Sequence, residues 1–475
     1  MAHHCRSILL LVIACFMTQA IASTRSLFPL QAYNQSPTYW FPPNAPDYIK
    51  PLVPARLQQQ AHQNLLKHYF GGNPTSSSPW DEHYVQQRLP DKGTDSIASS
   101  IKKMLERFDN VDAKGDSINY GSNYRPYTQT WIDAIRTNVQ LTQFKSLYFH
   151  AEQRGITVRP TMVRVLPTND PSFYSDTIAG EGYPFDNLQE SRLHIGTPIY
   201  VIGHSTDTLW SFIMSPDLQG WVLSDSIAFA DDAFIQLWRS AARKKMAVIT
   251  DFNVALTEPH QSRIYASDDI GSILPQLDAQ HLMIPVVNNR QQAVIHIARV
   301  APDKISTLPL TANRKNFSLL IQRSLGRPYG WGGLYGYNDC SSELKNLMTA
   351  FGFWLPTHSS KQITQGKTVD LSQYPPSERL DFLAKHGRPF MTLIHIRGHI
   401  MLYVGNTDTD EERPMTFQNI WGLGPEDHSR RSIIGQSVLF PLLLSYPEDR
   451  SLASLAAGPI FQISYLDQPT YIDKS

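Results

Sequence analysis

The pattern of apolar and polar positions divides the chain into a helical first part, two sets of short strands and a mixed last part. Helical periodicity is found at 57–69 and 96–108. Short β-type runs separated by turn signals follow at 161–166, 198–204, 209–215 and 220–223, and again at 246–251, 262–266, 282–287 and 292–299. Strands this short and this closely spaced predict two small β-barrels in tandem.

The last part of the chain opens with a predicted helix at 316–325, a glycine-rich loop and a second helix that begins near Cys340. In that second helix the apolar residues recur at i, i+3, i+4 and i+7, which predicts one buried stripe. They are Leu344, Leu347, Met348 and Phe351. Asn338 and Asp339 are good N-cap residues, so Cys340 is expected in the first turn. There, the free N–H groups and the helix dipole favour a thiolate.

A β-hairpin is predicted downstream, with strands at 391–396 and 399–405 around the turn Arg397-Gly398. Alternation along the second strand places His399 at the mouth of the hairpin, from which an imidazole can reach a helix N-terminus. The next strand candidate, 416–421, carries the polar residues Gln418 and Asn419 among apolar ones. The last part therefore mixes helices and strands, and the predicted fold class is α+β.

Composition indicates a globular chain of several domains. The 475 residues include 41% apolar residues, enough for ordinary packed cores. Forty-two basic residues balance forty-two acidic ones, so no net field favours nucleic acid or an anionic membrane surface as a partner.

Residues 1–22 resemble a secretory signal, with Arg6, an apolar run at 8–17 and a small-residue cleavage site at 20–22. We expect export to a periplasm or cell surface, and no other segment is long and apolar enough to span a bilayer. An alternative cut at a lipobox would leave Cys15 to carry a lipid.

Cleavage after Ala22 removes Cys5 and Cys15, which leaves Cys340 as the one thiol of the mature chain and a candidate nucleophile.

A cysteine attacks a carbonyl best when a histidine accepts its proton and a third polar group orients the imidazole. Cys340, His399 and either Gln418 or Asn419 could fill these roles. The choice of histidine is open from spacing alone, because His358 and His395 lie near in sequence. His395 and His399 are four residues apart on a predicted strand without a glutamate between them, which argues against a zinc peptidase site. With no cysteine pair either, we expect no metal and no organic cofactor.

Three motifs in the last 150 residues resemble the NlpC/P60 family of cysteine peptidases, which have a papain-like fold and cut peptidoglycan stem peptides. They are RPYGWGG at 327–333, NDCSS at 338–342 and GHIMLYVG at 398–405. Upstream, 69–80 resembles the end of the family's N-terminal stabilising segment, and GEGYPFDNLQ at 180–189 with GWV at 220–222 resembles its first bacterial SH3-type (SH3b) domain.

The resemblance implies five segments along the chain. They are a signal peptide at 1–22, a helical and irregular stabilising segment at 23–160, a first SH3b-type domain at 161–235, a second at 240–305, and the NlpC/P60 peptidase domain at 311–475.

Carried over position by position, the resemblance implies Cys340 as nucleophile, His399 as general base and Gln418 as the residue that orients it, with Asn419 the near alternative. Many family members have a histidine at this third position. Tyr329 would help to stabilise the oxyanion. Residues that would hold the substrate are Asp339, Ser341 and Ser359. Relatives that require a free L-Ala amino terminus carry a glutamate and a tyrosine where this chain has Thr197 and Leu218, which leaves glycan-attached stems open as substrates.

The expected activity is hydrolysis of the bond between γ-D-glutamate and the diamino acid of peptidoglycan stem peptides. Two alternatives stay open: a peptidoglycan-binding SH3b protein with a vestigial catalytic domain, and a cysteine amidase or acyltransferase. The identity of the diamino acid and the oligomeric state do not follow from the sequence.

Overall fold

The computed structural model describes residues 25–72, 77–89, 96–145, 147–260, 263–407 and 413–471. The predicted signal segment, with Cys5 and Cys15, lies outside these ranges. Within them the chain is a mixed α+β structure, as predicted. In the same ranges, no helix has both the length and the apolar character needed to cross a membrane.

The N-terminal segment is one short strand followed by helices. They are β1 (Arg25–Leu27), α1 (Pro37–Trp40), α2 (Ala55–Phe70), α3 (Glu82–Gln86), α4 (Ile97–Arg107) and α5 (Gln129–Val139). The two predicted helices correspond to α2 and α4. Ser96 caps α4 by accepting from the backbone N–H of Ser99 at 3.2 Å, and the buried residues Ile97, Ile101 and Leu105 form its apolar stripe.

The first β-unit forms a seven-stranded sheet with the order β4-β3-β7-β6-β5-β2-β8 within the described residues. Its strands are β2 (Arg154–Thr157), β3 (Thr161–Arg164), β4 (Gln189–Leu193), β5 (Pro198–His204), β6 (Trp210–Met214), β7 (Gln219–Leu223) and β8 (Ile227–Phe229). The four predicted runs correspond to β3, β5, β6 and β7. The sequence patterns missed the shorter β2 and β8 and the polar β4.

A helix, α6 (Asp232–Lys244), leads into the second β-unit, which consists of a four-stranded and a three-stranded sheet. Their orders are β11-β10-β14-β13 and β12-β9-β15. The strands are β9 (Met246–Ile249), β10 (Val254–Thr257), β11 (Ile264–Asp268), β12 (Ile273–Pro275), β13 (His281–Val287), β14 (Ala293–Arg299) and β15 (Ile305–Leu308). The four predicted runs correspond to β9, β11, β13 and β14.

The last part of the chain surrounds a seven-stranded sheet with the order β1-β20-β19-β18-β17-β21-β16. Its helices are α7 (Arg314–Ser324), α8 (Cys340–Ala350), α9 (Ser359–Gln362) and α10 (Pro376–His386). Its strands are β16 (Gly366–Asp370), β17 (Thr392–Ile396), β18 (His399–Asn406), β19 (Pro414–Leu423), β20 (Arg431–Pro441) and β21 (Phe461–Pro469). The predicted hairpin is present, since β17 and β18 pair antiparallel from Ile396 opposite His399.

One edge of this sheet is supplied by the start of the described chain. Strand β1 pairs in parallel with β20, with Arg25 opposite Arg431. The N-terminal segment is thus not only a helical packing module, as predicted, because its first strand completes the sheet that carries His399.

One of the hydrophobic clusters of the described residues holds the candidate site in place. It joins α2, α6, the second β-unit, α7 and α8 into one cluster of buried side chains. Leu344, Leu347 and Met348 of the predicted stripe are buried in it. Helix α8 is therefore anchored on its apolar face to the second β-unit and on the other side to β18 and β19.

Candidate active site

The candidate nucleophile is the first residue of α8, where the sequence places it. Asp339 caps this helix: its Oδ1 accepts from the backbone N–H of Ser341 at 3.0 Å and of Ser342 at 2.8 Å. The Ser342 hydroxyl accepts from the backbone N–H of Asp339 at 2.8 Å, which completes a capping box. The cap fixes Cys340 at the point where the glycine-rich loop enters α8.

The thiol of Cys340 is buried, with 8% of the residue exposed. Burial, with a smaller contribution from the negative charge of Asp339, raises the pKa of the thiol to about 12. The backbone N–H groups of Ile400 and Ser341 act in the opposite direction but do not outweigh it. The expectation of a resting thiolate is therefore wrong, because desolvation exceeds the effect of the helix N-terminus.

His399 is half-buried at the start of β18 and lies at one end of a chain of hydrogen bonds. Its Nε2 is 2.7 Å from Oε1 of Gln418. The Gln418 amide nitrogen donates to Oγ1 of Thr416 at 2.8 Å, and the Thr416 hydroxyl donates to the backbone carbonyl of Phe440 at 2.7 Å. Gln418 and Thr416 are fully buried, on neighbouring same-face positions of β19.

The donor and acceptor roles along this series of hydrogen bonds determine the tautomer of His399. A carbonyl oxygen can only accept, so the Thr416 hydroxyl donates to Phe440 and accepts from the amide of Gln418. Oε1 of Gln418 then faces the imidazole, which donates its Nε2–H and keeps Nδ1 as the basic nitrogen. Burial lowers the pKa of His399 to about 4, against the opposing effects of Gln418 and Asp339. The resting pair is a neutral thiol and a neutral imidazole.

Because successive side chains of a strand point to opposite faces, Gln418 and Asn419 of β19, the two candidates for orienting His399, have different partners. Gln418 faces His399, whereas the side-chain amide of Asn419 donates to the backbone carbonyl of Asn338 at 2.8 Å. Asn419 thus holds the loop just before the nucleophile and does not contact the imidazole of His399 through that bond.

The two alternative histidines have other partners. Nε2 of His358 lies 3.0 Å from a carboxylate oxygen of Glu190, at the rim of a cavity beside Cys340. His395 lies on β17 opposite Ile400, where burial lowers its pKa despite a hydrogen bond with the side chain of Gln462. Neither is joined to Gln418.

Tyr329 lies in the glycine-rich loop, where its backbone N–H donates to the carbonyl of Gly435 at 2.8 Å. Its ring is buried at 8% exposure and lies within 6.1 Å of the ring of Phe185, centroid to centroid. Burial, reinforced by the nearby Cys340 and Asp339, raises the pKa of Tyr329 well above its usual range. The hydroxyl therefore stays protonated and available as a donor.

A cavity of about 320 Å³ opens between the first β-unit and α8. The candidate residues Asp339, Cys340, Ser341 and Ser359 line it on the side of the last domain. Gly398 lines it as well, next to His399, whereas Tyr329, His399 and Gln418 themselves lie behind the lining. The structure thus collects seven sequence-predicted residues around one thiol, four facing the cavity and three supporting it.

The first β-unit supplies a wall of this cavity that sequence reasoning missed. Asp217 and Glu190 both line it, and each is paired: Nζ of Lys345 lies 2.7 Å from Asp217, and His358 lies 3.0 Å from Glu190. The residues meet only in the folded chain, so no local signal could have found them. Thr197 also lines the cavity, whereas Leu218 is buried in the core of the first β-unit.

A sequence profile of the SH3 domain (SH3b1 type) matches residues 171–223, within the first β-unit. Among solved structures, the chain is similar to an NlpC/P60 endopeptidase from Photobacterium damselae subsp. piscicida, with 28% identity and a TM-score of 0.78. That match covers 92% of this chain and 98% of the other. The architecture described above, from β1 to β21, is therefore that of a known NlpC/P60 protein.

Weaker likenesses are found to an NlpC/P60 family protein from Bacillus cereus ATCC 10987 and to NlpC2 from Trichomonas vaginalis. Both are 13% identical; the TM-scores are 0.42 and 0.25, with 63% and 64% of this chain and 98% and 97% of the other chains covered. No curated protein matches the sequence.

Proposed function

We propose that this chain, which has the architecture of an NlpC/P60 endopeptidase with an SH3b domain, is an exported cysteine endopeptidase of peptidoglycan. The likeness indicates a cysteine peptidase, and together with the SH3b domain it indicates a peptidoglycan hydrolase. The finer proposal is that it cleaves the bond between γ-D-glutamate and the diamino acid of the stem peptide.

The observation that carries this proposal is the arrangement at the start of α8. Cys340 lines a cavity bounded by the SH3b-type unit, its thiol lies against the backbone N–H of Ile400, and the preceding residue, His399, is hydrogen-bonded to Gln418. A neutral pair of this kind activates the thiol at the moment of attack, because the imidazole accepts the proton as the sulfur approaches the carbonyl.

The reaction then proceeds in two halves. Sγ of Cys340 attacks the γ-carbonyl carbon of D-glutamate while Nδ1 of His399 accepts the thiol proton. The oxyanion is stabilised by the backbone N–H of Cys340 and by the hydroxyl of Tyr329. When the intermediate collapses, the imidazolium returns its proton to the amine of the diamino acid, which leaves. Water, deprotonated by His399, then hydrolyses the thioester and releases a free D-glutamate carboxyl group.

Three residues of the cavity would hold the rest of the stem. Asp339 offers a carboxylate whose Oδ2 accepts a hydrogen bond from the backbone N–H of Gly332 at 3.1 Å, which keeps it beside the glycine-rich loop. Ser341, whose hydroxyl donates to Oδ1 of Asp339 at 3.0 Å, and Ser359 line the same cavity. These positions suit the short, polar peptide that precedes the D-glutamate.

Export remains part of the proposal, since it rests on residues 1–22. Lipid attachment through Cys15 is the alternative to signal cleavage after Ala22.

The test is mass spectrometry of muropeptides after incubation with the protein and, in parallel, with Cys340→Ala. Cleavage between D-glutamate and the diamino acid, absent from the variant, is the expected result. Release of intact stem peptide from the glycan would instead establish an amidase. Retention of peptidoglycan by both proteins with no cleavage would make the chain a binding protein and overturn the proposal.

A further inference from the structure

A second cavity, of about 410 Å³, lies where three parts of the chain meet. One wall is the turn at 120–124 of the N-terminal segment, another is the stretch 171–183 that leads into β4, and the third is Tyr335 of the glycine-rich loop. None of the sequence motifs pointed to this cavity, and the proposed hydrolysis does not use it.

Three large aromatic residues in this cavity are exposed to solvent. The exposed fraction is 69% for Tyr124, 70% for Tyr335 and 52% for Tyr183. Tyr183 and Tyr335 are close enough that the second raises the pKa of the first, after the larger effect of burial. Exposed aromatic residues gathered in one concave site are typical of ligand binding, whereas isolated ones are ordinary surface.

Two of these tyrosines have a backbone that side chains rarely adopt. φ is +60° at Tyr124 and +56° at Tyr335, in the left-handed region that is unfavourable for a residue with a side chain. Tyr124 is fixed at the tip of a closed turn, since its N–H donates to the carbonyl of Gly121 at 3.0 Å, and the N–H of Gly121 donates to the carbonyl of Arg125 at 2.9 Å. The turn thus fixes the backbone of Tyr124 while its ring stays exposed.

The rest of the lining is polar and nearly uncharged. It adds one carboxylate, from Asp176, and the hydroxyls of Ser122, Ser175 and Thr177. Among the described residues that line the cavity, none is lysine or arginine. Aromatic faces match the C–H faces of a pyranose ring, and the carboxylate and hydroxyls match its hydroxyl and amide groups. The lining itself thus offers no cation to a phosphate or another anion; the guanidinium groups of Arg25 and Arg107 lie behind it, on the carbonyl of Asp176 and the hydroxyl of Tyr174.

The two cavities share one loop. Trp331 lines the catalytic cavity, and Tyr335, four residues later, lines the second. On the other wall, the ring of Phe185 packs on Trp331 with centroids 5.4 Å apart, two residues after Tyr183. Four residues span at most about 14 Å, so a ligand in the second cavity lies within reach of one in the first.

We propose that this second cavity binds the amino-sugar chain to which the stem peptide is attached. The inference rests on the proposed function, because peptidoglycan joins the two covalently. From the bond to be cleaved, the stem continues through D-glutamate, L-alanine and a lactyl group to the sugar, roughly 10 Å when extended. That length is within the span of at most about 14 Å between Trp331, which lines the catalytic cavity, and Tyr335, which lines the second one.

On the wall that the first β-unit supplies, the catalytic cavity offers no unpaired carboxylate to the ammonium group of a free amino terminus. The two carboxylates that the first β-unit contributes there, Glu190 and Asp217, are paired with His358 and Lys345. The ammonium group of a free L-alanine would have to compete with His358 and Lys345 for these carboxylates. The amide that joins L-alanine to the lactyl group carries no charge and needs no carboxylate partner.

The binding test uses tetra-N-acetylchitotetraose, a β-1,4-linked amino-sugar chain without peptide, measured by saturation-transfer NMR and calorimetry. The variants Tyr124→Asn and Tyr335→Asn remove a ring while keeping a residue that tolerates positive φ. Tyr148→Asn is the matched control, with the same 69% exposure but outside this lining. We expect affinity to fall about tenfold or more in the two variants and to stay unchanged in the control. No binding by the unaltered protein, or equal binding by all four, would overturn the proposal.

The activity test separates this inference from the proposed function. With Tyr124→Asn, we expect kcat/KM to fall about tenfold on glycan-linked stems and to stay unchanged on free stem tetrapeptide. An equal loss on both substrates would contradict a glycan site. Oligosaccharide binding without hydrolysis of either substrate would leave the glycan site standing and overturn the peptidase.

Discussion

At the scale of single residues, the basicity of His399 depends on which way one amide points. If the side chain of Gln418 were flipped, its NH2 group would face the imidazole, and Nε2 would have to accept. Nδ1 would then carry the proton, and the imidazole would have no basic nitrogen for the thiol. Thr416 prevents the flip, because its hydroxyl is committed to the carbonyl of Phe440 and can only accept from Gln418. Thr416 is thus a positioning residue of the proposed reaction.

We therefore predict that Thr416→Val lowers kcat about tenfold with little change in KM, since the variant loses base orientation and keeps the cavity. Thr416→Ser retains the hydroxyl and should restore most of the activity. Steady-state kinetics on stem tetrapeptide, with circular dichroism to check the fold, makes the measurement. A rise in KM alone, or a serine variant as impaired as the valine one, would contradict the orienting role.

The pH dependence of activity follows from the same imidazole. Only neutral His399 can accept the thiol proton, so activity is lost as pH falls through its pKa of about 4. We predict that the acidic limb of kcat/KM lies near this value rather than near 6.5. Gln418→Glu places a negative charge against Nε2, which favours the imidazolium and should move the limb to higher pH. An acidic limb that does not move in this variant would show that another group titrates.

Much of the residue-scale picture could be predicted from the sequence, because a helix cap is local. Asp339, Cys340 and Ser342 are neighbours along the chain, and their spacing predicts the cap that the structure shows. The protonation state of the thiol could not be predicted, since the burial that raises its pKa comes from elements distant in sequence. Choosing between Gln418 and Asn419 required the register of β19 against β18.

At the scale of elements, α8 is tied to the first β-unit by a buried ion pair. Asp217 follows β6 and is 5% exposed in its side chain, and Lys345 is on the first turns of α8. Burial alone would raise the pKa of Asp217, but Lys345 and the donors of Thr357 outweigh it, so the pKa is lowered. The carboxylate thus stabilises the fold above its unfolded pKa of about 3.8, and that contribution is lost as pH falls through the lower folded value.

Lys345→Met should destabilise the protein by about 3–5 kcal/mol, because it leaves a buried carboxylate without its cation. The double variant Asp217→Asn with Lys345→Met removes both charges and should recover most of that loss. Urea unfolding followed by tryptophan fluorescence measures both. If the double variant were no more stable than the single one, the loss would come from packing on Trp354, over whose ring the ammonium lies at 5.8 Å.

Elements were predictable where their signals are local. The hairpin β17–β18 turns at Arg397-Gly398, and Gly398 has φ of +74°, the conformation for which a glycine is preferred in such a turn. Strand β1 was not predictable, because its partner β20 lies some four hundred residues away. Helix α6 also has a local signal, because Asp231 is a good N-cap residue ahead of the buried Phe234 and Trp238. The sequence analysis did not predict this helix.

At the scale of the whole molecule, three units meet at one buried carboxylate. Asp268, at the end of β11, is fully buried and accepts from Nδ1 of His194 at 2.8 Å and from the backbone N–H of Ile195 at 2.8 Å. The other ring nitrogen of His194 lies 3.0 Å from Oδ1 of Asn346 on α8. The first β-unit, the second β-unit and α8 are thus joined through three side chains, with His194 between Asp268 and Asn346.

The sequence predicted the order of these units but not their junction. The strands within each β-unit follow from alternation over a few residues, whereas the contact of Asp268 with His194 joins residues seventy-four positions apart. The hydrophobic cluster that joins α2, α6, the second β-unit and α8 is likewise invisible until the chain is folded. These contacts make the second β-unit part of the support of α8.

If the second β-unit supports α8, Asp268→Ala should impair catalysis although Asp268 itself does not line the cavity and reaches it only through His194 and Arg192. Removing the buried carboxylate leaves His194 without its anion and Arg192 with Asp269 alone, at a cost of about 3–5 kcal/mol, and frees α8 to shift against the second β-unit. We expect a lower apparent melting temperature, new proteolytic cuts between the units, and a fall in kcat/KM on free stem tetrapeptide.

Asp278→Ala is the control in the same β-unit: its ion pair with His281 is exposed, so its removal should leave all three measurements unchanged. Because the Asp268 junction is buried, high salt should not mimic the variant. Full activity in Asp268→Ala, despite a lower melting temperature, would show that the catalytic domain holds α8 without help from the second β-unit.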